Sequence, residues 1–305
     1  MALYDKLQET YLLLEEVNSD RKGIREDDDK ITNILIGNMM QIVVLLNENM
    51  NDKEKILLNK IIGFVEEYEG FWRMRNKPLG YDGDYITISC LLDTNYEIED
   101  RMKRIGKLYV HNLGITKQHI LKLNESRLAV INTMKRKKGC KILYLSSGLC
   151  HELRDLDLSS AEVTLVDINK DCMDLNKQYF NKNNFNYVVG NPVTYLLKKC
   201  DEKKYDIILT GGLLDYVSPR YVKDFVQKCY DSLEEGGLLF VTNIDKDFPT
   251  TQTLKYISKW SLIQRDRNTM LDILGNRSDI KYDMHKDHTN LTWIIKAYKL
   301  PKCKL

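Results

Sequence analysis

Residues 141–167 read KILYLSSGLCHELRDLDLSSAEVTLVD, and this stretch decides the fold. Lys141–Ser146 (KILYLS) and Glu162–Ile168 (EVTLVDI) are apolar runs of strand length, with the texture of strands buried on both faces of a sheet. Gly148 follows the first run. A glycine there lets a ligand approach the backbone, and a helix beginning behind it would offer unpaired N–H groups. The second run reaches Asp167, 19 residues after Gly148. At that separation an acidic side chain can accept hydrogen bonds from both ribose hydroxyls of a nucleotide-containing cofactor. Alone, the glycine suits an ordinary strand-to-helix turn and the aspartate a helix N-cap; together they favour ribose binding.

Outward from this unit the pattern repeats. Further short apolar runs begin at Asn186–Val189, Tyr205–Thr210 (YDIILT) and Gly237–Asn243 (GLLFVTN), separated by segments long enough for helices. Strands alternating with helices predict a parallel sheet with crossover helices. Asp279–His285 and Thr292–Tyr298 read as two further strands joined by the turn residues DHTN. A terminal antiparallel hairpin on a parallel sheet is the S-adenosylmethionine (SAM) methyltransferase variant of this architecture. The expected fold is therefore α/β: a doubly wound, mostly parallel, seven-stranded Rossmann-like sheet.

Residues before this region have a different texture. Ile31, Ile34, Leu35, Met39, Ile42, Val43 and Leu46 recur at helical spacing, and Ile56, Leu57, Lys60, Ile61, Phe64 and Val65 begin another amphipathic stretch behind Asp52, read as an N-cap. The charged run Arg25–Lys30 reads as a solvated loop. Lys77–Tyr85 (KPLGYDGDY) is a turn-rich break, and helical spacing resumes from Ile86 to about Met134. The expected division is a helical cap or substrate domain over 1–115 and a cofactor-binding domain over 116–305.

The 305 residues are 43% hydrophobic and 30% charged, the profile of a globular chain with material for a core. With 46 basic against 44 acidic residues there is no broad positive field, so nucleic acid is not suggested as a partner. The start lacks a signal-peptide pattern, and the longest apolar run, Ile42–Leu46, is too short to cross a bilayer. The seven cysteines form no CxxC pair and no zinc-ligand cluster, so the expectation is reduced thiols, a cytoplasmic location and no metal.

Four features fall in order on four successive strands. They are the Ser146-Ser147-Gly148 turn with Glu152 just beyond, Asp167 with Ile168 and Asn169, Gly190-Asn191-Pro192, and Gly211-Gly212 leading to Asp215 and Tyr216. Gly148 is assigned to the methionine part of SAM, Asp167 to the ribose and Asn191 to the adenine. The paired glycines open the carboxyl edge of the sheet, where ligands of open α/β sheets bind. Asp215 and Tyr216 are expected to face the reacting group, although Asp215 as a cap of the next helix is an alternative. A nicotinamide dehydrogenase would normally show G-x-G-x-x-G, which is missing. His151 is tempting as a general base but reads better as a cofactor-loop or first-turn residue. Arg127 is a candidate partner for a carboxylate of SAM or substrate, since its fork suits bidentate binding.

The sequence resembles the bacterial SAM-dependent methyltransferases that make 3-hydroxypalmitic acid methyl ester, the extracellular-factor signal. The resemblance rests on KPLGYDGDY (77–85), LSSGLCHEL (145–153), GGLLDYVS (211–218) and GGLLFVTNID (236–245) followed by WSLIQR (260–265). It departs at Leu149-Cys150-His151, where Pro-Ala-Arg is more usual, at Leu214 in place of Phe, and at Gln264 in place of an aromatic. The resemblance implies methyl transfer to an oxygen, here a carboxylate, with S-adenosylhomocysteine as product. It also implies that Tyr81, Asp84 and Tyr85 form a lid over the cofactor, with Tyr81, Asp84 and Tyr216 on the substrate side. An acceptor already ionised at neutral pH needs no strong base. N-methylation, aminocarboxypropyl transfer and a non-catalytic SAM-binding scaffold stay open as alternatives, as does a homodimer. The expected partner is a small molecule, with no membrane insertion.

Overall fold

In the structure, a computed structural model, a seven-stranded sheet runs in the order β3-β2-β1-β4-β5-β7-β6. Its strands are β1 Lys141–Leu145, β2 Glu162–Asp167, β3 Phe185–Val189, β4 Tyr205–Leu209, β5 Leu233–Ile244, β6 Ile280–Lys286 and β7 Thr292–Lys299. The first five are parallel; β7 pairs antiparallel with β5, and β6 with β7. This is the expected doubly wound fold with its terminal hairpin. The structure describes residues 2–23, 25–181, 184–199, 203–246 and 250–301; Cys200 and Cys303 lie outside them.

Packing on both faces explains why the central strands are mostly apolar. Leu143, Leu145, Ile208, Leu239 and Val241 pack on one face with Val222, Phe225 and Val226 of helix α10 (Pro219–Asp231). Ile142, Tyr144, Leu165, Ile207 and Leu209 pack on the other with Met173 of α8 (Lys170–Tyr179) and Val130 of α7 (Gly114–Arg136). Both faces are dry, so period-two polarity has no place in β1 or β4. At the edge, β6 alternates partly buried with exposed residues and turns Lys281, Asp283 and His285 outward. Outward charge of this kind blunts edge pairing.

The chain divides into two compact units. One comprises Met1–Lys117 with Asp247–Ser261, the other Gln118–Lys246 with Leu262–Leu305. The first is helical: α1 Leu3–Ser19, α2 Asp28–Leu45, α3 Asp52–Val65, α4 Glu69–Asn76, α5 Tyr85–Leu92 and α6 Arg101–Asn112, then a π-helical turn Thr253–Ser258. Arg75 donates to the Ile257 carbonyl and Lys255 pairs with Glu48 at 2.8 Å, which ties the returning segment into this unit.

Four local expectations change. Asn51, rather than Asp52, caps α3: its side chain accepts from Glu54 N at 3.0 Å, and Glu54 returns a bond to Asn51 N at 2.9 Å. That reciprocal box satisfies two helix-end donors at once. Asp28, inside the run read as a solvated loop, is buried because Arg101 (3.0 Å) and Arg104 (2.8 Å) neutralise its two oxygens. After β1 comes a three-residue 3-10 turn, His151–Leu153, in place of an α-helix. Cys150 (φ 49°) and Asp155 (φ 62°) are left-handed on either side of it, so a helix cannot propagate in either direction. Finally, β5 begins at Leu233 rather than Gly237, through a register irregularity against Tyr205 and Ile207.

Candidate functional site

The strand order reverses between β1 and β4, and open α/β sheets bind ligands beyond the carboxyl ends at such a point. Ser146 (φ 60°) and Gly148 (φ 51°) turn the chain sharply off β1. Gly148 N donates to Asp167 Oδ2 at 2.9 Å, and Asn169 N to Asp167 Oδ1 at 2.9 Å. The carboxylate thus clasps the ends of β1 and β2 together. Each oxygen keeps a lone pair for a further donor. Burial pushes the Asp167 pKa above the usual carboxylate value, against the lowering effect of the Asn169, Gly148 and Ile168 backbone donors. Ser147 N bonds Val166 O at 3.2 Å, and Asn176 of α8 reaches Gly148 O at 2.7 Å. The turn is therefore fixed from two sides.

Ile168, 57% exposed, stands just past this clasp as an open apolar surface. Asn169 caps α8, accepting from Cys172 N at 2.9 Å. At the end of β3, Gly190 N donates to Asp167 O at 2.8 Å, which joins the third strand end to the second. Asn191 accepts from Thr194 N at 3.0 Å as α9 (Pro192–Lys199) begins, with Pro192 in its first turn.

Beyond β4 the two glycines have separate reasons. Gly211 is left-handed (φ 51°), and a methyl group on it would lie 3.5 Å from the Tyr144 hydroxyl. Gly212 is not left-handed, but a methyl group there would meet Lys122 Nζ at 3.1 Å and Asp215 Oδ2 at 3.4 Å. Asp215 sits in the 3-10 turn Leu213–Asp215, and its Oδ1 accepts from Asn243 Nδ2 and Ile244 N, both at 2.8 Å. Burial raises its pKa to about 6, with Lys122, the Ile244 N–H and Arg265 opposing the shift. It does not cap α10, whose N-cap is Ser218. Tyr216 beside it is 41% exposed.

Under the first turn, Glu152 is buried and accepts from Tyr144 and, at 3.4 Å, from Ser126 of α7. Burial raises its pKa. Arg127 Nη1 donates to the Glu152 carbonyl at 2.9 Å and the Arg154 carbonyl at 2.7 Å, which holds the 3-10 turn against α7. Burial and the Arg154 charge lower the His151 pKa to about 4, so it is a weak base at neutral pH. Among the described residues no cluster of metal-ligating side chains occurs.

Tyr81, Asp84 and Tyr85 belong to the helical unit. Asp84 is the N-cap of α5: Oδ1 accepts from Ile86 N and Thr87 N, both at 3.0 Å, and from Arg73 at 3.1 Å, while Oδ2 accepts from Thr87 Oγ1 at 2.8 Å. Tyr85 opens that helix, and its carbonyl accepts from Ser89 Oγ at 2.8 Å. Tyr81 is half-buried in the preceding loop, where Lys77 pairs with Asp82 at 2.8 Å.

Three further side chains near this edge give no clear signal in the sequence. Lys122 and His119 look like surface positions of an amphipathic helix. Arg265 reads in the sequence only as the end of WSLIQR, yet its buried guanidinium donates to the carbonyls of Leu214 and Val217 and to Asn243 Oδ1. It thereby fixes the turn that carries Asp215.

Residues 143–241, from β1 to β5, match the family model described as a methyltransferase domain. The chain carries a methyltransferase domain. No curated protein sequence matches the chain. Among solved structures, a possible exported protein from Bordetella parapertussis is similar over 90% of this chain and 97% of its own, with TM-score 0.61 and 12% identity. A SAM-dependent methyltransferase from Archaeoglobus fulgidus is similar over 58% of this chain and 94% of its own, with TM-score 0.43 and 18% identity. At these identities the likeness is one of fold. Among the described residues, no helix is long and apolar enough to cross a membrane.

Proposed function

We propose that this chain transfers the methyl group of SAM to an oxygen of a small molecule, most simply a carboxylate. The observation that carries the cofactor side is the Gly148–Asp167 clasp at the reversal of strand order. It leaves a buried carboxylate with spare lone pairs beside an exposed apolar Ile168, the combination a ribose and an adenine need. In this reading Ser146, Ser147, Gly148 and Glu152 line the methionine end, Asp167 takes the ribose hydroxyls, and Ile168, Asn169, Gly190, Asn191 and Pro192 border the adenine. Gly211 and Gly212 leave room at the sheet edge, and Asp215 holds that edge in shape.

What supports a carboxylate acceptor is how little the site offers as a base. His151, at about 4, is too weak to deprotonate an amine or alcohol efficiently, and Asp215, at about 6, has Oδ1 held by Asn243 and Ile244, which leaves Oδ2 alone as a base at this edge. A carboxylate acceptor arrives ionised, so placement and loss of water around the nucleophile suffice to drive in-line transfer. SAM, when bound, would supply an electrophilic methyl group whose C–S bonding pair would stay on sulfur as the acceptor oxygen bonded to the carbon. A hydroxy fatty acid is the candidate acceptor on the sequence resemblance. The same resemblance gives Tyr81, Asp84, Tyr85 and Tyr216 their roles and assigns the helical residues 1–115 to substrate selection. The thiols of Cys90, Cys140, Cys150, Cys172 and Cys229, none of them in a disulfide, suit a cytoplasmic location.

The test is incubation of the protein with SAM and a panel of carboxylic acids, including 3-hydroxy fatty acids, read by product mass. A methyl ester together with S-adenosylhomocysteine is the expected result. Amine-linked methyl products alone would overturn the carboxylate assignment.

A further inference from the structure

Helix α7 carries a buried cation that no anion touches directly among the described residues. Lys122 is 6% exposed, and its Nζ lies against Gly212 at the carboxyl edge of β4. Among the described residues it makes no hydrogen bond and no ion pair within 4.0 Å. An unpaired ammonium out of water is costly, and a fold keeps one there only when something else compensates it. The carboxylates whose charge it feels are Asp215, Glu152 and Asp287. Each has other donors: Asn243 and Ile244 on Asp215, Tyr144 and Ser126 on Glu152, and Leu291, Thr292 and Thr289 on Asp287. One turn back on the same helix, His119 presents a buried Nε2 that has no hydrogen-bond partner. Burial and the nearby charges of Lys122 and His151 keep that imidazole neutral.

We propose that Lys122, assisted by His119, binds the carboxylate of the cofactor's amino-acid end at Gly212. This rests on the methyl-donor reading above. An amino-acid terminus is a zwitterion, and the site has both signs: Lys122 for the carboxylate, Glu152 and Asp215 for the positive ammonium and sulfonium. Gly212 fits this role because any larger residue would occupy the space in front of Lys122 Nζ. Arg127, the other basic candidate on α7, has its Nη1 on two backbone carbonyls and serves the turn instead.

The experiment is calorimetric titration of the full chain and of Lys122→Met with two probes. S-adenosylhomocysteine carries the amino-acid end; 5′-methylthioadenosine shares its nucleoside and thioether but lacks the carboxylate. For Lys122→Met, S-adenosylhomocysteine is expected to weaken on the order of 10–100-fold, the size of a charge-assisted bond, while methylthioadenosine changes less than about threefold. Lys122→Arg restores part of the loss, and His119→Ala gives a smaller loss confined to the same ligand. Without ligand, Lys122→Met melts no lower than wild type, because a desolvated charge has been removed. Equal weakening of both ligands, or no weakening of either, overturns the assignment. If the wild-type protein binds neither probe, the methyl-donor reading fails first and the assignment goes with it.

Discussion

Replacement of Asp167 by alanine is the most direct test of the cofactor clasp. The carboxylate is 8% exposed and holds the Gly148 and Asn169 N–H groups at 2.9 Å each. Two ribose hydroxyls donating to its remaining lone pairs would each form a hydrogen bond to a charged acceptor, worth about 1.5–3 kcal/mol. Loss of both predicts about 3–6 kcal/mol, or roughly a 10²–10⁴-fold weaker complex. The free protein loses the two backbone bonds, but water can enter at this open edge. The melting temperature should therefore fall by only a few degrees, on the order of 1–2 kcal/mol. Calorimetry with S-adenosylhomocysteine reads the first number and thermal unfolding the second. Methylthioadenosine should lose as much as S-adenosylhomocysteine, since both carry the ribose, in contrast to the Lys122 variant. Affinity should also weaken as pH falls through the raised pKa of Asp167, because protonation replaces an acceptor with a donor. A cooperatively folded Asp167→Ala protein that binds S-adenosylhomocysteine within threefold of wild type would refute the clasp as the ribose site.

Two further outcomes follow from the same edge. The folded pKa of Asp215, about 6, lies above its ordinary value of 3.8, so between those values the native state binds more proton than the unfolded one. Stability should consequently fall as pH rises from about 4 to 6, by on the order of 3 kcal/mol from this group; Asp215→Asn should lack that fall, and parallel denaturant midpoints for the two proteins across this range would contradict it. Gly211→Ala places a side chain on a left-handed residue (φ 51°) and 3.5 Å from the Tyr144 hydroxyl. A cost of about 1–2 kcal/mol is expected, seen as a melting temperature lower by a few degrees, and an unchanged melting curve would show that the turn relaxes freely.

The sheet was legible because its signals are local. Strands β1, β2 and β4 bury mostly apolar side chains, and the turn residues of DHTN mark the terminal hairpin. The early start of β5 was hidden because Leu233–Gly237 (LEEGG) has the composition of a loop, and only pairing with β4 makes it strand. Asp28 misled for a related reason. A run of charges reads as solvated until two arginines more than 70 residues away arrive to neutralise one member. The 3-10 turn after β1 depends on two non-glycine left-handed residues, which composition does not announce.

By itself, the sequence determined the strand order of events that builds the cofactor edge. A strand, a glycine turn and a second strand ending in an acid place Gly148 and Asp167 side by side through local spacing alone. Which charges face each other was decided only by tertiary structure. Asp215 engages Asn243, Lys122 stands against Gly212, and Arg265 secures the turn between them, each pairing joining residues about 30 to 90 positions apart. Periodicity along a chain records which face of an element is dry. It carries no record of which distant element will supply, or withhold, the partner of a buried charge.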